Sequence, residues 1–129
     1  MKKITNQVIL LMLLTLISCK TSNENKIIGK WKGLYTQKSY YGGNIHNLTT
    51  EMEFNENGKG LFRNHNEEEN KTYPTSIFEY KVKVDSIIFI NTKYDQNLHI
   101  EYISENKLIL NKFSELSGTE RYELDKVTE

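Results

Sequence analysis

The sequence predicts an all-β domain, eight antiparallel strands closed into an up-and-down barrel, behind an N-terminal segment built like a secretory signal. Three observations carry this. Beyond residue 19, short runs of alternating apolar and polar residues recur between turn signals, the mark of an all-β meander. All 14 aromatic residues (one Trp, eight Tyr, five Phe) lie in that part, β-branched residues are plentiful and alanine is absent, a composition that suits strands over helices. No segment of useful length there repeats with the helical period. A two-sheet sandwich is the alternative architecture, because periodicity does not reveal closure.

Lys2 and Lys3 give the chain a basic start, and residues 8–17 form an apolar block broken only by Thr15. A basic start, an apolar block and a small residue before a cut make a signal peptide. The block is too short to span a bilayer, which takes about 20 apolar residues, so a permanent membrane helix is the weaker reading. Leu16-Ile17-Ser18-Cys19 at its end resembles the lipobox of bacterial lipoproteins. The resemblance implies cleavage before Cys19, a diacylglyceryl group on its sulfur and acylation of the new amine. One acyl chain binds membranes marginally, whereas two or more hold a protein stably. Cys19 is the only cysteine, and a lone thiol in an exported protein otherwise needs explaining. Lys20 follows it instead of Asp, which by analogy with other lipoproteins favours the outer membrane. The expected setting is therefore the bacterial cell envelope, with the membrane as partner through the N-terminal lipid.

This divides the chain into a signal peptide (1–18), a lipidated flexible tether (19–26) and a barrel domain (27–129). The whole chain has a formal charge of +0; losing Lys2 and Lys3 from its 17 basic residues leaves 15 against 17 acidic, or −2. That balance offers no basic footprint for nucleic acid and no polybasic patch for anionic lipid. Without a second cysteine there is no disulfide, and one core must stabilise the domain.

The strands are expected at 29–41, 45–54, 59–65, 76–84, 87–94, 98–105, 108–113 and 119–127. The first ends at Gly42-Gly43-Asn44, a hairpin signal. In the second, Leu48, Thr50, Met52 and Phe54 share one face, with Thr49, Glu51 and Glu53 on the other. Asn57-Gly58 suits a turn at positive φ. Residues 66–73 read as a polar loop, and Pro74 precedes the fourth strand, an edge where proline is tolerated. In that strand Phe78, Tyr80, Val82 and Val84 point one way and Glu79, Lys81, Lys83 and Asp85 the other, before a turn at Asp85-Ser86. Later turns fall at 95–97, 106–107 and 117–118.

Ile28-Gly29-Lys30-Trp31 puts a Gly-x-Trp at the mouth of the first strand. With the eight-strand meander, and with the hairpin Met52-Glu53-Phe54-Asn55-Glu56-Asn57-Gly58-Lys59-Gly60, the chain resembles the lipocalin-like domains of lipoproteins from Bacteroidetes-type bacteria. The resemblance spans nearly all of 27–127 and rests on spacing more than on a dense motif. It implies that Trp31 plugs one end of the barrel, under a basic residue from the end of the last strand. Lys126 is placed for that role, since closure brings it beside the first strand; Arg121 falls too early. Gly29 and Trp31 are accordingly structural residues.

No constellation points to catalysis. His46, His65 and His99 fall on different strands without ligand spacing, so no metal and no cofactor are expected. The run Glu67-Glu68-Glu69 lacks the alternating spacing of a calcium loop. No nucleophile elbow accompanies the serines, and the expectation is a protein without enzymatic activity. Asp85-Ser86-Ile87 resembles the sequon for periplasmic O-glycosylation in such bacteria, which makes Ser86 a candidate, although Asp-Ser is also an ordinary turn pair.

An eight-stranded barrel is either filled by side chains or holds one small ligand. The inward candidates are Tyr35, Met52, Phe54, Phe62, Tyr80, Val82, Phe89, Tyr102 and Tyr122. As a cup, these rings and their hydroxyls would bind a small hydrophobic molecule. As a filled core, they would leave an envelope interaction or inhibitor protein acting through its outer face.

Overall fold

The computed structural model describes residues 23–38, 44–90, 97–114 and 118–128, without the side chains of 44–47 and 113–114. The elements are a one-turn helix α1 (Asn23–Ile27) and strands β1 (Gly29–Lys38), β2 (Asn44–Phe54), β3 (Lys59–Asn66), β4 (Lys71–Thr72), β5 (Ser76–Lys83), β6 (Ser86–Ile90), β7 (Leu98–Ile103), β8 (Lys107–Ser114) and β9 (Gly118–Lys126). All pairings are antiparallel, and the ring β1-β2-β3-β5-β6-β7-β8-β9 returns to β1. The domain is a closed eight-stranded barrel, and the sandwich alternative is excluded.

β4 is an accessory piece inside the expected polar loop, paired with His65 and Asn66 of β3, while β5 pairs with residues Lys59 to Phe62 of the same strand. The chain between them holds Pro74, which cannot donate to the ladder, and there the pairing slips by one residue.

Three local expectations are corrected. The tether was expected to run flexibly through residue 26, but its last part forms α1. A five-residue helix is not stable alone. Ile27 anchors it, fully buried, while the Trp31 indole donates to the Ile27 carbonyl at 2.7 Å and Asn23 Nδ2 donates to the Val84 carbonyl at 2.8 Å. The β5–β6 turn is Val84-Asp85, closed by the Lys83–Ser86 pair, and not Asp85-Ser86. Val84 therefore leaves the strand face on which it was expected; it adopts φ 56° and is 80% exposed.

The third correction is Tyr102, expected inside and found 52% exposed. Leu98 and Ile100 of β7 do face the core, but the ladder to β8 runs Ile100–Leu110 and then Tyr102–Ile109. Glu101 is thus an extra residue, a bulge that reverses the alternation. Ile103 turns in to pack on the core and Tyr102 turns out.

The barrel has two unlike ends. α1, the turns 55–58, 84–85 and 104–106, and residues 127–128 gather at one. Ile27, Trp31, Phe54, Ile87, Leu108 and Leu124 pack there with 0–1% exposure, each contributing about 1.5–3 kcal/mol of hydrophobic stabilisation. Strands β1, β3, β6 and β8 end, and β2, β7 and β9 begin, at the other.

Candidate functional site

The inner wall over β1, β9 and β8 is built in rows. Antiparallel register aligns Trp31 with Lys126, then Gly33 with Leu124 and Leu108, then Tyr35 with Tyr122 and Leu110, and finally Gln37 with Glu120 and Lys112. Above the Trp31–Lys126 pair, polarity thus rises toward the mouth. Gly33 is required where β1 and β9 meet, because a methyl group there would overlap the Glu123 carbonyl.

At the base, the Lys126 ammonium lies 4.5 Å from the centroid of the Trp31 ring and donates to the Ile28 carbonyl. Burial pulls its pKa down. Gly29, at φ 130°, leaves the lysine room, since any Cβ would strike it. Arg121 instead faces outward and bonds Glu101 and Glu123.

Toward the mouth, Tyr35 and Tyr122 lie ring to ring with centroids 4.8 Å apart, and Phe62 meets Tyr122 edge-on at 6.3 Å. The Tyr35 hydroxyl donates to Glu120 Oε1 at 2.7 Å. Burial, then the hydrogen bond and charge of Glu120, push the Tyr35 pKa far up; burial, then Glu120, does the same to Tyr122. Both hydroxyls therefore stay protonated and can donate. A second polar pair lies inside β2 and β3, where Thr50, fully buried, donates to Asn64 Oδ1 at 2.6 Å.

The opposite wall is aromatic. Phe78 contacts Phe54, Tyr80 and Phe89 at centroid distances of 5.6, 6.0 and 5.0 Å, and Tyr80 donates to the Asn55 carbonyl at 2.8 Å. Phe62, Phe78 and Phe89, on the neighbouring strands β3, β5 and β6, pack on the core yet are only partly buried. These three inward rings remain partly open to solvent.

Of the nine inward candidates, Tyr35, Met52, Phe54, Tyr80 and Tyr122 are buried, Phe62, Val82 and Phe89 are partly buried, and Tyr102 lies on the outer face. Ser86 opens β6 opposite Lys83 and His99. Cys19 lies outside the described residues, as does the His46 side chain. Among the described residues, no cluster of three or more His, Cys, Asp or Glu could hold a metal ion. Gln37, Glu120 and Lys112 were missed from the sequence. Their signal was available: Glu120 stands two residues from Tyr122 and shares its face.

The outer face of β1–β3 carries a separate groove of 420 Å³, lined by Lys30, Lys32, Glu53, Leu61, Thr75 and Val127 among others. Glu51, which also lines it, is flanked by Lys32 and Arg63, and the Arg63 hydrogen bond holds its carboxyl below the usual range.

No family model matches the sequence, and no curated protein matches it. Among solved structures, the chain is similar to a lipocalin-like protein from Bacteroides uniformis, with a TM-score of 0.53 and 19% identity over 79% of this chain and 99% of the other. The fold is lipocalin-like.

Proposed function

We propose that the protein is a lipid-anchored, non-enzymatic binding protein of the bacterial cell envelope, which takes a small, largely apolar molecule into the barrel. The single observation in favour is the partly exposed inner wall of Phe62, Phe78 and Phe89 above a tightly packed base. An apolar cup with a few placed polar groups is the usual make-up of a ligand site. The apolar body of the ligand would lie on these rings. Its polar end would meet Glu120 and the hydroxyls of Tyr35 and Tyr122, whose hydrogen bond is already in place. Cys19 carries the anchor, and the outer membrane is the proposed location.

Native mass spectrometry of the full-length product purified from its own host tests this, with saturable binding of an apolar fluorescent probe as the second measurement. A co-purifying small molecule, or one probe per chain displaced from Phe62→Arg but not from Arg121→Gln, supports the cup. A clean mass and no saturable binding would refute it.

The outer groove favours a second reading, an interaction protein working through β1–β3. Crosslinking in the host to a single protein through Lys30 or Lys32, with an empty barrel, would establish that reading instead.

A further inference from the structure

The anchor reading and the position of α1 together set which way the barrel faces. An acylated Cys19 is separated from Asn23 by residues 20–22 alone. Even fully extended, four residue steps span only about 14 Å. Asn23 is not free to swing, because its side chain holds the Val84 carbonyl and Ile27 is locked in the core. β1 runs ten residues from that end to the mouth, and a strand rises about 3.3 Å per residue, so even when tilted it puts the mouth roughly 25 Å further off. The tether therefore cannot reach a bilayer on which the barrel stands mouth down.

Val84 sits at that place. It is the tip of the β5–β6 hairpin, bonded through its carbonyl to Asn23, with its isopropyl group 80% exposed. Its φ of 56° is one that β-branched residues avoid. Asn or Gly would serve the turn at less cost. An apolar side chain held out beside the departure point of a lipidated chain has a ready environment in the headgroup and upper acyl region. Glu24, Lys26, Lys83 and Asp85 around it balance in sign, so the contact rests on tether length and apolar burial and not on charge.

We infer that the α1 end of the barrel, led by Val84, rests on the lipid bilayer that holds the N-terminal acyl chains, and that the mouth points away into the aqueous compartment. The inference rests on acylation of Cys19. Under it, the cup loads from solution and not sideways from the bilayer beneath.

The test uses the full chain, expressed in a host that processes lipoproteins and placed in phosphatidylcholine nanodiscs. With the sulfur of Cys19 acylated, Val84→Cys and Glu69→Cys each offer one free thiol for a fluorophore; Glu69 is exposed in the β3–β4 turn at the mouth. A nitroxide on the lipid headgroup is expected to quench the Val84 site several-fold more than the Glu69 site. Equal quenching, or stronger quenching at Glu69, in protein whose mass shows an acylated Cys19 overturns the orientation alone. A mass showing an unmodified Cys19 removes the anchor, and the orientation with it.

Discussion

The Lys126 ammonium stands 4.5 Å from the centre of the Trp31 ring while bonded to the Ile28 carbonyl. This pair ties the last strand to the first at the base of the barrel, where the register sets the two residues opposite each other. It closes the structure at the point where sequence separation is greatest.

Replacing Lys126 by Met keeps the alkyl stem and removes the cation. The loss of a cation–π contact and one charged hydrogen bond should cost about 1–2 kcal/mol. Thermal unfolding measures it, and Trp31 emission should shift, as it is the only tryptophan.

Gly33→Ala should destabilise strongly, because the added methyl would overlap the backbone of β9 and not a movable side chain. A cost of about 1–3 kcal/mol is typical of overpacking. A midpoint shift in urea without a change of slope would show it; an unchanged midpoint contradicts the close approach of β1 and β9.

Val84→Asn should raise stability by about 1 kcal/mol, since asparagine tolerates positive φ and valine does not. Nothing in the core changes, because the side chain is exposed. A melting temperature equal to or below that of the parent would count against the turn geometry.

The β7 bulge predicts unequal neighbours. Tyr102→Ser should change stability by less than about 0.5 kcal/mol, as exposed positions do. Leu110→Ala, from the fully buried core of β8, should cost about 2–5 kcal/mol. Equal costs would mean that Glu101 does not bulge.

Stability should fall in alkali. The folded pKa values of Tyr35 and Tyr122 lie above their ordinary value of 10.0. Their contribution is fully present below pH 10 and is lost as pH rises from there toward the folded values, because the unfolded chain releases its protons first. Tyr122→Phe should flatten the alkaline limb of a plot of unfolding free energy against pH.

The alternation of Leu48, Thr50, Met52 and Phe54 is visible in the residues because one face of β2 is buried and the other is wet. The same periodicity marks Tyr35, Tyr80 and Tyr122. It failed at Tyr102 and Val84, where a bulge and a tight turn change the side-chain direction without changing the residue pattern. It also passed over Glu120, whose charge suggested solvent until Tyr35 was found beside it.

What the sequence by itself determined is an all-strand domain with alternating faces, a tryptophan at the first strand's start and a lysine at the last strand's end. Pattern and composition suffice for that, since each follows from local burial. Only the tertiary structure decided that the ring closes, that α1 packs beside Trp31 at one end, and that Gln37, Glu120 and Lys112 line the other. Those outcomes depend on register between strands distant in sequence, where a slip of one residue turns every side chain to the opposite face.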